Sequence, residues 1–505
     1  MNARLLAEHG LTASDYDVLV QLADAPEQAL RRVDLAEQVL LSPSGITRLL
    51  DGLEASGYVE KRRCDHDARV TYAALTDAGR QKLKDASQTL LGGVPMSWMT
   101  MWAGGFPLFL AEARGASVTD VDGNVFADFC LGDTGAMAGH APEPVTRAVE
   151  GQIRRGTTVM LPTEDAAWVG RELVRRFGLD AWQFALTATD ANRWVLRMAR
   201  AITGRPKVLV FNYCYHGTVD ESVIVIEDGR PRARPGNVGP AVDPTVTTKV
   251  VEFNDVAALR EALEPGDVAA VLAEPALTNI GIVLPEPGYH DELRRLTQET
   301  GTLLIIDETH TMSTGPGGYT AAKGLDPDIL TVGKSIAGGI PIGAYGMRRE
   351  IADRVLAADV DLEDVGGVGG TLAGNALSLA AARATLSEVL TDESYARMIA
   401  LAERYTAGVQ EVLDSRRVPW NIVQLGARAE YRFCPEPPRN GGESAAAHDE
   451  ELDAYMHVYL MNRGVLITPF HNMALMCPAT TETDVDRHSA VFAEAVGELV
   501  GSGDG

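Results

Sequence analysis

Cysteine is scarce and scattered. Cys64, Cys130, Cys214, Cys434 and Cys477 are the only five in 505 residues, odd in number and free of any CxxC pair, which excludes a disulfide framework or a zinc cluster and fits a reducing cytoplasm. Long apolar runs are also missing. No stretch approaches the ~20 residues of a membrane span, and Met1-Asn2-Ala3-Arg4 opens without the apolar core of a signal peptide, so a soluble intracellular protein without a membrane partner is expected. Positive charge is in deficit, with 45 Lys and Arg against 70 Asp and Glu and a net charge of −25. That balance excludes wholesale attraction to phosphate backbones but leaves room for a local basic patch. Low complexity is absent too: 46% hydrophobic and 23% charged residues describe an ordinary packed chain, neither disordered nor collagen-like. At roughly 150 residues per domain, about three domains are expected.

Apolar spacing in residues 1–90 predicts helices over 15–23 and 33–40 and a third from Ser42, a capping serine followed by Pro43, to Gly57. Residues 58–63 and 69–76 alternate like two strands joined at 64–67, and Asp77 opens another helix. This is a winged helix-turn-helix layout. The runs "LTASDYDVLVQLA", "LAEQVLLSPSGITRLLDGLEASGYVEKRR" and "DHDARVTYAALTDAGR" resemble the MarR-type (multiple-antibiotic-resistance) regulators. The resemblance implies that Ser42, Ser44, Thr47 and Arg48 lie near bases and phosphates of the major groove, with Arg69 in the wing. Eleven Lys and Arg against 14 Asp and Glu in residues 1–90 leave 11 − 14 = −3, although Lys61, Arg62, Arg63 and Arg69 gather at the wing. Two readings stay open: a DNA reader, or a winged helix kept for dimerisation or docking.

Residues 91–145 begin with a Gly- and Met-rich stretch carrying Trp98 and Trp102, then alternate around Asp122-Gly123 as a hairpin. In residues 146–392 strands and helices alternate, each strand ending in a polar residue. The strand at 183–186 leads to Thr187-Ala188-Thr189, where exposed amides at a helix start either cradle a phosphate or simply cap the helix. Lys207–Phe211 leads to Tyr215 and His216, the tyrosine being either a ring to stack on or a core residue. Residues 269–273 deliver Glu274, 302–306 deliver Asp307, and 329–332 deliver Lys334. Polar groups at the carboxyl ends of buried strands suit a site at the crevice of a mostly parallel sheet. A lysine and a buried acid there suit pyridoxal phosphate: the lysine bonds the aldehyde and shuttles a proton, and the acid keeps the pyridine nitrogen protonated. Read alone, the pair could equally be two strand ends. The glycine-rich turn at 366–375 contains Thr371, and residues 393–505 read as a smaller C-terminal lobe.

In this order "TATDAN", "YHG", "AEP", "IIDETHT", "TVGKSIAGGIPIGAYG" and "GGTLAGN" resemble the class III aminotransferases of the fold-type I pyridoxal phosphate enzymes, a family that includes glutamate-1-semialdehyde aminomutase. The resemblance runs from about Gly92 to Val500. It implies an α/β fold with a mostly parallel seven-stranded sheet, helices on both faces and an α+β C-terminal lobe. It also implies Lys334 as the Schiff-base lysine, Asp307 at the pyridine nitrogen, Tyr215 on the ring, Thr187 to Thr189 at the phosphate, and Thr371 reaching the phosphate of a partner subunit in a homodimer.

Departures from the family pattern mark where this chain is expected to differ. Ala188 stands where glycine is common, which narrows the approach to a phosphate. Thr309 and His310 follow Asp307 and Glu308 in place of an aliphatic and a Gln or Met, and His310 either bonds the cofactor or is a satisfied neighbour. Trp98 and Phe470 correspond to carboxylate-binding arginines of β-amino acid transaminases, so an amine without a carboxylate is one reading. Arg428, on a C-terminal strand, favours a carboxylate unless it merely pairs with Glu430. The function expected is transfer of an amino group from an amine or amino acid donor to a carbonyl acceptor in a ping-pong cycle. The alternatives are an aminomutase, or a transcription regulator with an aminotransferase-like sensor domain.

Overall fold

The computed structural model describes residues 11–39, 43–63, 71–87, 94–104, 108–358 and 367–501. The chain forms two units, one of residues 1–112 and 119–125, the other of residues 113–118 and 126–505.

In the first unit, helices Ala13–Asp24, Arg32–Gln38 and Pro43–Ala55 precede strands Val59–Arg63 and Thr71–Leu75 and helix Asp77–Ser87. Thr12 caps the first helix reciprocally with Asp15, satisfying amides that would otherwise lack partners. Leu19, Leu22, Leu35, Ile46, Leu50, Leu53 and Leu75 form its core. The short strand Ala29–Arg31 completes a three-stranded sheet by pairing with Thr71–Leu75. Three residues carry too little periodicity to announce a strand. Ser42, Cys64 and Arg69 lie outside the described residues. Thr47 and Arg48 ride helix Pro43–Ala55, half-buried and exposed respectively, and Ser44 lies in its first turn.

The second unit is built on a seven-stranded sheet, β1 Ala181–Ala185, β2 Lys207–Phe211, β3 Thr248–Val251, β4 Val268–Ala273, β5 Leu303–Asp307, β6 Ile329–Val332 and β7 Gly343–Met347, in the order β3-β2-β4-β5-β6-β7-β1. Only β7 runs against its neighbours. Central strands such as Val-Ala-Ala-Val-Leu-Ala of β4 are buried at every position, because helices cover both faces and no alternation is needed. β7 is Gly-Ala-Tyr-Gly-Met, whose two glycines disguise it in the sequence. Both are required by packing: a Cβ on Gly343 would lie 2.3 Å from the Thr187 carbonyl oxygen, and one on Gly346 would lie 2.4 Å from the Trp182 ring. Helix α1, Ala188–Thr203, lays Trp194, Val195 and Met198 into the core with Val208, Leu272 and Ile305.

Towards the C-terminus, helix Asp392–Arg416 is followed by β8 Asn421–Leu425 and β9 Arg428–Arg432, with β10 Met473–Leu475 completing the antiparallel order β8-β9-β10. In the same lobe the two-residue strand Val465–Leu466 pairs in parallel with Ala127 and Asp128. Among the described residues no helix is long and apolar enough to cross a membrane.

Candidate active site

Parallel pairing of β5 with β6 aligns Asp307 with Thr331, so the carboxylate and Lys334 leave the sheet at the same rim. Asp307 is buried and heavily bonded. Its Oδ2 accepts from Asn192 Nδ2 at 2.8 Å and sits 2.9 Å from His216 Nδ1, while Oδ1 accepts from the Thr309 amide at 3.0 Å. Burial alone pushes the acid up, but the His216, Thr309 and Asn192 bonds outweigh it and hold the pKa at about 2. His216 is moved the other way: burial lowers it, yet Cys214 and Asp307 bring it well above its ordinary value. The two form an ion pair. Asn192 is oriented in turn by Thr331 Oγ1, which donates to its Oδ1 at 2.7 Å, and it donates to the His216 carbonyl at 3.0 Å.

Thr187 caps α1, accepting from the Asp190 amide at 3.1 Å. Thr189 Oγ1 accepts from the Thr218 amide at 3.2 Å, which ties the helix start to the turn after Tyr215. Gly217, with φ of 83°, lies so close that a Cβ there would fall 2.0 Å from Thr189 Oγ1. The methyl of Ala188, expected to narrow the loop, is received by Gly333, where a Cβ would come within 2.9 Å of it. Glu274 faces the backbone: its Oε1 accepts from the Tyr215 amide at 3.1 Å and its Oε2 from the Thr278 amide at 3.0 Å. It therefore sets where Tyr215 sits. Burial raises its pKa.

Lys334 has φ of 49°, left-handed for a residue with a Cβ and of the kind found at functional sites. Its Nζ lies 2.7 Å from Asp133 Oδ2 and 2.7 Å from His310 Nε2. Arg428 is fully buried at the start of β9, and a hydrogen bond from its Nη2 reaches Thr134 Oγ1. It is brought there by the β8–β9 turn, where Gly426 packs against Ser313 and the Ala427 amide donates to the Ser313 carbonyl at 2.8 Å. No carboxylate lies within ion-pair reach of Arg428 among the described residues, and its Nε has no partner; Glu430 faces His471 at 3.4 Å instead. Burial pulls the guanidinium pKa down. Phe470 is half-buried with its ring 5.0 Å from that of His471. Thr371 is exposed in the single chain. Trp98 belongs to the first unit, on the exposed turn Ser97–Thr100.

Asp133 and Thr134 escaped the sequence reading. The only cue was polar residues in an otherwise apolar, glycine-rich segment, which ordinarily signals a surface turn.

The residues fit pyridoxal phosphate. A buried carboxylate held ionised suits a protonated ring nitrogen, a capped helix start beside Thr189 suits a phosphate, and the amine of Lys334 suits an aldehyde. Thr309 Oγ1 and Ser335 Oγ are buried without hydrogen-bond partners among the described residues, as expected where a bound group completes the polar shell.

Comparison with known proteins agrees. The family described as aminotransferase class-III matches residues 99–494, and the MarR family matches residues 9–70. A glutamate-1-semialdehyde 2,1-aminomutase of Chloroflexus aggregans is 34% identical over 411 residues, covering 78% of this chain and 92% of its own length. The crystal structure of a glutamate-1-semialdehyde aminomutase from Pseudomonas aeruginosa in complex with PMP superposes with a TM-score of 0.81 at 50% identity, covering 82% of this chain and 93% of that one. An omega-transaminase from Sphaerobacter thermophilus gives 0.74 at 28% identity, covering 82% and 95%. This chain, with its MarR-family segment, belongs to the class III aminotransferases, enzymes whose cofactor is pyridoxal 5'-phosphate.

Proposed function

We propose that the protein moves an amino group from an amine or amino acid donor to a carbonyl acceptor in two half-reactions, working as a homodimer. The cofactor, when bound, supplies an electron sink that makes the proton beside the transferred nitrogen removable. The residues that would hold it are Asp307 at the ring nitrogen, Tyr215 at the ring, Thr187, Ala188 and Thr189 at the phosphate, and Thr371 from the partner subunit. His216 keeps Asp307 ionised, Lys334 carries the proton across the site, and Arg428 receives a substrate carboxylate. The observation that carries this reading is the buried Asp307, held ionised by His216, Asn192 and the Thr309 amide at the same sheet rim where Lys334 follows the end of the neighbouring strand.

A buried arginine with no carboxylate partner among the described residues favours a donor that brings one, since hydrogen bonds to a charged group are worth roughly 1.5–3 kcal/mol. An aminomutase, which returns the amino group to the same substrate, is the second reading; the identity to glutamate-1-semialdehyde aminomutases favours it. A panel of amine donors and carbonyl acceptors, followed through the absorbance of the bound cofactor, tests both. Turnover that needs an added acceptor supports the transaminase, and turnover of one substrate alone supports the aminomutase. Lys334→Ala should abolish either, and full activity in that variant defeats the proposal. Arg428→Met should raise KM for carboxylate-bearing donors by about 10- to 100-fold and leave simple amines nearly unaffected.

A further inference from the structure

Leu131, Gly132, Asp133 and Thr134 have φ of 46°, 58°, 48° and 78°, four successive residues in the left-handed region. Three of them carry a Cβ, and each such residue costs roughly 1–2 kcal/mol, which is why left-handed backbone normally occurs singly. The turn is pinned from several sides. Asp128 Oδ1 accepts from the amides of Cys130 and Leu131 at 2.8 and 3.0 Å, and its Oδ2 lies 2.7 Å from His140 Nε2. The Asp133 amide donates to the Cys130 carbonyl at 3.0 Å, and the Ala136 amide to the Leu131 carbonyl at 2.8 Å. Strain of this size persists only where the surroundings over-determine it, and it gathers at functional sites.

The turn delivers the Asp133 carboxylate to Lys334 Nζ, and the Thr134 hydroxyl to His310 and Arg428. A lysine ammonium only donates, so His310 Nε2 accepts from it, and Nδ1 carries the ring proton towards Thr134 Oγ1 at 3.2 Å. Burial and the Lys334 charge keep His310 well below its ordinary pKa, so the ring stays neutral and able to accept. Burial would raise Asp133, but the Lys334 ammonium outweighs it and lowers its pKa. The lysine therefore meets two acceptors from separate segments, one of them on strained backbone.

We propose that Asp133 is a positioning residue: together with His310 it cradles the Lys334 ammonium whenever that lysine is free of the cofactor, keeping it at the site for the next proton transfer. The inference rests on the role given to Lys334 in the proposed function. A free lysine would otherwise spread over the many rotamers of its four-carbon stem and lose much of its reach for the reacting atoms.

The cradle can be read without turnover. Full-length protein loaded with pyridoxamine phosphate, which offers no aldehyde to the lysine, is exposed briefly to acetic anhydride, and acetylation of Lys334 is followed by peptide mass spectrometry. Asp133→Asn keeps the side-chain shape, and asparagine accepts left-handed backbone, so the turn survives. Lys334 is expected to label on the order of 10-fold faster in that variant, because the amine loses its charge-assisted hydrogen bond to the Asp133 carboxylate. The donor half-reaction should slow on the order of 10-fold with the donor KM little changed. His310→Phe, which removes the other acceptor, should also speed labelling. Equal labelling in wild type and both variants, or an unchanged half-reaction in Asp133→Asn, overturns the proposal. Failure of the underlying reading appears on a different variant, as turnover that survives Lys334→Ala.

Discussion

At the scale of residues, the site works by pairing buried charges. Asp307 stays ionised because His216, Asn192 and the Thr309 amide repay its burial. Its depressed pKa, about 2 against 3.8, makes it a stabilising group above pH ~4. That contribution, about 2 kcal/mol at one unit per 1.36 kcal/mol, is lost as pH falls through 2. His216 has the opposite sign: its raised pKa stabilises the fold below its ordinary value and fades only as pH climbs through the raised one. His216→Phe leaves a buried carboxylate without its cation, a change that typically costs about 3–5 kcal/mol. Urea unfolding should show that loss, and the absorbance of the bound cofactor should become sensitive to pH in the range where wild type is not. A variant with wild-type stability and a flat profile would mean that His216 does not hold Asp307 ionised.

At the scale of elements, glycines decide where the polar ends of the strands meet. β7 reaches the sheet only because Gly343 lets it pass the Thr187 carbonyl, and Gly217 lets the turn after Tyr215 pass Thr189. Gly343→Ala is expected to destabilise by about 1–3 kcal/mol, the usual cost of overpacking, and to weaken cofactor binding through displacement of the helix start. Equilibrium dialysis with pyridoxal phosphate checks it. The converse holds at Ala188: because Gly333 makes room for its methyl, Ala188→Gly should leave cofactor affinity nearly unchanged. Much of this level was open to sequence reading, since β2, β4, β5 and β6 are mostly apolar runs that end at Phe211, Ala273, Asp307 and Val332. β7 was not, because its glycines answer to Thr187 and Trp182, neighbours known only after folding.

At the scale of the molecule, two surfaces ask for partners. Met160 and Leu161 are 78% and 71% exposed, and Leu372 is 49% exposed. The Ala376 amide donates to the Thr157 carbonyl at 2.9 Å, which draws the first loop against the turn containing Thr371. If the homodimer forms across this face, Met160→Asp with Leu161→Asp should yield monomers by sedimentation and remove most activity, since Thr371 would be lost from the partner site. In the winged helix, Lys61 is paired with Glu54 and lies 3.7 Å from Asp51, and Arg62 lies 3.6 Å from Glu60. Those cations are partly neutralised, which weakens the case for phosphate contacts. A palindromic duplex bound with steep salt dependence and weakened by Arg48→Ala would support a DNA reader; binding that is absent or indifferent to sequence would support a docking module.

The linear chain determined the order of the strands and marked polar residues at their ends. Apolar runs and polar strand ends are local properties that single out Asp307, Lys334, Tyr215 and Thr187 to Thr189, and the ordered motifs, by their resemblance to the class III aminotransferases, supplied the chemistry expected of them. Only the tertiary structure decided what surrounds those groups. Asp133 lies 201 positions from Lys334, and Thr134 lies 294 from Arg428, so no spacing rule connects them. Their meeting depends on a left-handed turn pinned by Asp128 and on a β8–β9 turn seated against Ser313. The bonds that pin the first turn are local, but where each turn lands against Lys334 and Arg428 follows from close packing of segments far apart in sequence.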